Sequence, residues 1–152
     1  KGLGNGYAIS ACVGKDFLKD ASKEVFLTGS CWNDAVAMAA AIKSLEISHS
    51  ENVAEFILAK GDYFVKGMAE KASENELPFI FTGPSSMPYP WFEGDENLFR
   101  IQKFCEIAAG KGLYFHPHHN WFISNAHEKN DLDEAIELAG EAMSELVRLE
   151  SV

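Results

Sequence analysis

The run Lys1-Gly2-Leu3-Gly4-Asn5-Gly6-Tyr7 decides how this chain is read. Three glycines in six residues let the backbone approach a flat ligand closely and adopt φ > 0. Lysine is the residue most used for Schiff-base chemistry with carbonyl compounds. A lysine that opens a glycine-dense loop therefore suits an amine that must meet a flat, phosphorylated carbonyl compound. The run is not a dinucleotide fingerprint, since the pattern needs glycine where Tyr7 stands and no strand precedes it. On this reading the reactive residue is the first of the chain, and what would normally precede it is missing.

Outward from that run, residues 7–13 are rich in strand-compatible types and predict a buried strand ending at Gly14. Residues 15–21 predict one or two helical turns, and Val25-Phe26-Leu27 a short strand running into Thr28-Gly29-Ser30. Asn33 then caps a helix to about Ile47. Its many alanines favour helix and close packing, which places it in a core or a subunit interface. Ser48 and Glu51 form a capping-box pattern. A second helix follows to about Ser73, with Val53, Ile57, Phe64 and Met68 as its apolar stripe and with Gly61 and Gly67 as local weak points.

Past Pro78 the composition shifts to aromatics and prolines. Phe79 to Thr82 predicts a strand, and Tyr89 to Phe92 an edge strand, because Pro88 and Pro90 cannot serve a central ladder. Residues 96–109 predict a helix stopped by Gly110 and Gly112. Leu113-Tyr114-Phe115 and Trp121-Phe122-Ile123 predict short strands around the turn at residues 116–120. Asp131 and Glu134 form a further capping pattern. Leu132, Ile136, Ala139, Met143 and Leu146 mark one buried face of a last helix. The second half thus forms a small α+β unit. In the first half the strand at 7–13 has only residues 25–27 as a candidate partner, and an unpaired buried strand leaves backbone groups unsatisfied. A sheet is therefore expected from elsewhere.

The 152 residues suffice for one domain with a sizeable core, and 47% hydrophobic content excludes a disordered tail. A net charge of −10 argues against nucleic acid or an anionic membrane as partner. No apolar run reaches membrane-spanning length. Cys12, Cys31 and Cys105 are odd in number and widely spaced, which reads as buried free thiols in a reducing cytosol.

Four groups of residues invite chemistry. Thr28-Gly29-Ser30 lies between a predicted strand and a helix, where hydroxyls and free N–H groups serve either as an ordinary cap or as a phosphate seat. His116, His118 and His119 do not match a strong zinc spacing and have no cysteine or carboxylate to complete a set. A substrate-facing or packing role is expected of them, and no metal. His127 is expected to make local hydrogen bonds. Trp32, Trp91 and Trp121 read as core or interface aromatics.

Together these pieces resemble the class III aminotransferases, the pyridoxal-phosphate family that includes glutamate-1-semialdehyde aminomutase. Three stretches carry the resemblance, in the family's order. Lys1 to Tyr7 followed by Val13-Gly14 is similar to the Schiff-base lysine segment. Thr28-Gly29-Ser30 through Asn33-Asp34-Ala35 to Ala37-Met38-Ala39-Ala40 is similar to the hydroxyl-bearing loop and Ala-rich helix. Phe122 to His127 with Asp131-Leu132-Asp133 is similar to the closing strand-turn-helix signature. Ala8 stands where the family often has proline, and Asn33-Asp34-Ala35 replaces a common Gly-Asn-Pro.

The resemblance implies an α/β fold of the fold-type I pyridoxal-phosphate transferases, here its C-terminal portion. Residues 1–50 would end the large cofactor-binding domain, 51–77 would connect, and 78–152 would form the small α+β domain. Lys1 would be the catalytic and cofactor-binding lysine. Ser30 would reach the cofactor phosphate of the neighbouring subunit of a homodimer, and Gly29 would support that turn. The implied partners are a small amino donor, a carbonyl acceptor and the missing N-terminal part of the same enzyme. The implied setting is cytoplasmic. His118 and Asn120 are expected, from position alone, to contact substrate. The alternatives are an aminomutase and, in another class, a non-catalytic binding fragment.

Overall fold

The computed structural model describes residues 2–151, which form two compact units, Lys1–Val53 and Ala54–Val152. In the first unit a short 3-10 turn (Asp16–Leu18) leads into α1 (Lys19–Lys23). A long loop then reaches α2 (Ala35–Ser50). The strands predicted at 7–13 and 25–27 do not form. A strand exists only through its ladder, and neither segment finds one among the described residues. Val13 and Phe26 are each 89% exposed, so the expected burial is absent as well.

Helix α2 starts one residue later than predicted. Its cap is Asp34, whose carboxylate accepts the N–H groups of Val36 at 3.0 Å and Ala37 at 3.4 Å. An Asp here satisfies donors that have no carbonyl one turn back. The Ser48–Glu51 capping pattern does not operate, because α2 continues through Ser50. Asn52, with φ 50, separates α2 from α3 (Val53–Glu74); asparagine tolerates that left-handed conformation better than most residues. Within its unit α2 buries only Ala37 and Ala41, while Val36, Ile42 and Leu45 are exposed.

The second unit closes a core. Strands β1 (Phe79–Thr82) and β2 (Tyr89–Phe92) pair antiparallel, with Phe79 opposite Phe92 and Phe81 opposite Pro90. Side chains alternate along a strand, so these four residues share the face turned to the helices. Residues 121–123 run beside the approach to β2. The Trp121 N–H donates to Pro88 O at 2.8 Å and the Ile123 N–H to Ser86 O at 3.0 Å. These two bonds are what becomes of the strand expected there. Residues 113–115 form no strand; the Leu113 N–H closes the end of α4 (Phe99–Gly110) on Ala108 O.

Phe64 and Met68 from α3, Ile101 and Phe104 from α4, and Met143 and Leu146 from α5 (Lys129–Glu150) meet Phe79 and Phe92 in one cluster. All five apolar positions picked out in the last helix are buried.

Three local features were not foreseen. Gly61 and Gly67 are packing sites, not weak points. A Cβ on Gly61 would overlap the Ser85 carbonyl, and one on Gly67 would lie 2.5 Å from Ile136 Cδ1. Helix α4 begins at Phe99, not 96, because Leu98 sits at φ 61 and buried Asp95 reaches forward to cap it. The Asp95 carboxylate accepts Arg100 N–H at 3.0 Å and Ile101 N–H at 2.9 Å. The capping box of α5 is Glu128 with Asp131, not Asp131 with Glu134.

Candidate cofactor site

The glycine-rich segment folds on itself. The Asn5 N–H donates to Gly2 O and the Tyr7 N–H to Gly4 O, each at 3.2 Å. Gly4 is buried against the Tyr7 carbonyl, where a Cβ would overlap, and Gly6 has φ 110. Both positions therefore require glycine for a physical reason. The segment Gly6 to Ser10 and the turn around Gly29, Cys31, Trp32 and Asp34 line one cleft of about 970 Å³ in the first unit. Sequence reading assigned these stretches separately; the fold brings them to the same space.

Each proposed site residue has its own outcome. Lys1 lies outside the described residues. Gly29 lines the cleft, and its carbonyl accepts the Trp32 N–H at 3.0 Å. No crowding or positive φ requires glycine there. Ser30 is exposed and stands between two lining residues, Gly29 and Cys31, without lining the cleft itself. The N–H groups of Ser30 and Cys31 have no protein partner among the described residues.

The start of α2 is not available as an anion seat, because the Asp34 carboxylate already fills it. A phosphate at this loop would be held by the Ser30 hydroxyl and the free N–H groups of the turn. Those are suitable donors, and the residues present fit the group in that restricted sense. Cys31 lines the cleft, and Cys12 is exposed as well, contrary to the expectation that all three thiols are buried. Only Cys105 is buried, and burial pushes its thiol up to about 12.

The histidine turn belongs to the second unit. His118 lies toward α4 in a cleft with Phe99 and Tyr114, whereas Asn120 lines a different cleft with Phe64 and Trp121. The two expected substrate residues therefore do not converge. His118 is held locally, its N–H donating to His116 Nδ1 at 3.1 Å. His127 makes the expected local bond, accepting the Ser124 N–H on Nδ1 at 3.1 Å. Trp121 is buried, but Trp32 is 55% exposed.

Sequence reading missed two ionic ties. Arg100 makes a bidentate pair with Glu150 at 2.7 and 2.6 Å and lies 5.2 Å over the Phe92 ring. Tyr63, Lys129 and Asp133 join α3 to α5. Lys129 reaches Asp133 at 2.6 Å and the Tyr63 hydroxyl at 3.1 Å, and that hydroxyl donates to Asp133. Hydrogen bonds from Lys129 and then Tyr63 hold the Asp133 carboxyl below its ordinary range. The i, i+4 spacing of Lys129 and Asp133 is a readable signal; the tyrosine contribution is not.

No protein-family model matches the chain. Individual relatives do. The chain is 38% identical over 149 residues to the aminopentol aminotransferase of Sphingopyxis macrogoltabida, covering 97% of this chain and 35% of that protein. It is 29% identical to the 3-aminobutyryl-CoA aminotransferase of Cloacimonas acidaminovorans, covering 98% and 37%. Glutamate-1-semialdehyde 2,1-aminomutases also match, that of Syntrophobacter fumaroxidans at 28% over 130 residues. Among solved structures, the FumI protein of Sphingopyxis sp. MTA144, in its PLP internal aldimine form, superposes with a TM-score of 0.89 and 34% identity. The match covers 98% of this chain and 36% of that one. The chain thus spans little more than a third of the length of the relatives it matches. In sequence and in fold it corresponds to the C-terminal portion of the fold-type I, pyridoxal-phosphate-dependent aminotransferases and aminomutases.

Proposed function

We propose that the protein works in pyridoxal-phosphate-dependent amino-group transfer between a small amino donor and a carbonyl acceptor. The observation that carries this is the shared cleft. Residues 6–10, which continue the lysine-glycine run, and Gly29 with Cys31 and Trp32 from the hydroxyl-bearing turn line one space. The 38% identity to an aminotransferase supports the same reading. When bound, the cofactor supplies an electron sink for the substrate carbon.

The chain's own residues do the rest. Lys1 Nζ supplies the amine that holds the cofactor, then takes and returns the proton at the substrate carbon. Gly4 and Gly6 keep the backbone of that segment free of side chains. Ser30 donates its hydroxyl, and with Cys31 its backbone N–H, to phosphate oxygens. That role is assigned toward the neighbouring subunit of a homodimer, whose interface would cover the exposed apolar face of α2. Residues 1–50 act as the end of the cofactor-binding domain, 51–77 as connector and 78–152 as the small domain. The working compartment is the cytoplasm.

The test is spectroscopic. Loading the complete protein, with the N-terminal part that this chain lacks relative to its relatives, with pyridoxal phosphate should give a visible absorbance band that borohydride abolishes, leaving a mass adduct on the Lys1 peptide; this chain alone should give none. Lys1→Ala should lack both. An adduct on a different lysine, or none, overturns the assignment. The aminomutase matches favour a second reading in which the amine returns to the same substrate skeleton. Turnover without any added acceptor would select it.

A further inference from the structure

Two histidines of the second unit hold the backbone through a nitrogen that acid protonates. The His118 N–H donates to His116 Nδ1 and the Ser124 N–H to His127 Nδ1, each at 3.1 Å. A ring nitrogen accepts only while it carries no proton, so both rings are neutral with the proton on Nε2. The two bonds bracket one stretch of chain. Between them the Trp121 N–H donates to Pro88 O and the Ile123 N–H to Ser86 O, bonds between groups that do not titrate. The middle of the stretch is thus fixed to the connection between β1 and β2, and each end is closed by an imidazole.

His119 supplies the contrast. Its Nδ1 lies 2.9 Å from Asn120 O, a carbonyl that only accepts, so this nitrogen donates and still donates once the ring is charged. The His116 ring lies 6.3 Å from that of His118 and 5.9 Å from that of His119, centroid to centroid, so charge on it faces two further imidazoles. Tyr114 and, from α4, Lys103, Cys105 and Glu106 line the cleft beside His116, with Lys103 and Glu106 paired to each other at 2.9 Å. Asp131 of α5 lines the cleft beside His127 and accepts the Glu128 N–H at 2.8 Å, while Lys60 of α3 holds Asn125 O at 2.8 Å. No histidine is in an ion pair among the described residues.

We propose that residues 116–127 form an acid-released clasp, which neutral His116 and His127 hold closed at its two ends. Protonation of either Nδ1 turns an acceptor into a donor facing an N–H, and that end opens while Trp121 and Ile123 stay in place. His119 and Asn120 lie between the two ends, so their placement follows the state of the clasp. The clasp belongs to the second unit and stands if no cofactor binds.

The test is amide hydrogen exchange on the complete protein, with its N-terminal part, read residue by residue by mass spectrometry. Samples at about pH 7.5 and about pH 5.5 lie on either side of the ordinary histidine value, and the intrinsic exchange rate is corrected for pH. In acid the His118 and Ser124 amides should lose protection by roughly threefold to tenfold, the worth of one hydrogen bond. The Trp121 and Ile123 amides should keep theirs. His116→Asn combined with His127→Asn puts a carbonyl oxygen within reach of each N–H, an acceptor at either pH, and should abolish the acid loss. Loss at neither amide, at only one of the two, at all four together, or to the same extent in the double variant would overturn the proposal.

Discussion

The two units use apolar residues in opposite ways. In Ala54–Val152, phenylalanines from two helices and two strands meet, and Phe104 is 0% exposed. In Lys1–Val53, Phe17 is 77% and Phe26 89% exposed, and the only buried apolar side chains among the described residues are Ala37 and Ala41. What separates the two units is pairing. The second unit has its own strand partner for each strand and its own cover for one apolar face of each of its helices. The first has segments of strand-forming composition without a ladder, so its apolar side chains have nothing to close against.

The sharpest way to break this contrast is a matched pair of truncations. Phe104→Ala should destabilise the second unit by about 3–5 kcal/mol. Phe26→Ala should change stability by less than about 0.5 kcal/mol, because the ring has no buried contacts to lose. Denaturant unfolding of both variants decides it, and a large effect at Phe26 would mean that the first unit is covered in solution.

The next test concerns Asp95, whose two carboxylate bonds start α4. Asp95→Ala should cost about 1–2 kcal/mol, while Asp95→Asn should recover part of the loss. The same unfolding measurement reads both.

The cysteines divide along the same line. Cys12 and Cys31 should react with a thiol reagent in the native protein, and Cys105 only after denaturation. Because the folded Cys105 thiol is raised from 9.0 to about 12, the unfolded state loses its proton first as pH rises. This contribution to stability is constant below about pH 9 and declines between there and about 12, by at most about 1.4 kcal/mol per pH unit. Cys105→Ala should remove that slope.

The smallest expected effect is at the Arg100–Glu150 pair, which is partly exposed and screened by solvent. Glu150→Gln should cost less than about 1 kcal/mol, and less still in high salt.

Much of the second unit was legible because its signals are local. The three- and four-residue spacing from Leu132 to Leu146 needs only one helix to be read, and Pro90 alone restricts β2 to an edge. What stayed hidden depends on neighbours distant in sequence. Gly61 looks like a helix weakness until the Ser85 carbonyl is found against it. Leu98 in a left-handed conformation has no sequence signal, since leucine rarely adopts one. In the first unit the residue types at Gly29 and Ser30 could be named, but the meeting of residues 6–10 with Gly29 and residues 31–34 in one cleft could not. The capture of the α2 start by Asp34 could have been read from its place directly before the alanine run. The choice of Asn33 as cap obscured it.

The exposed apolar surface of the first unit also has a colloidal consequence. Val13, Phe17 and Phe26 face water on a chain of net charge −10. Like charge is then what keeps two copies apart, and it acts over only about 10 Å in 0.1 M salt. Salt removes the repulsion but leaves the hydrophobic attraction in place. This protein should therefore self-associate more as ionic strength rises, the reverse of a particle held together by ion pairs.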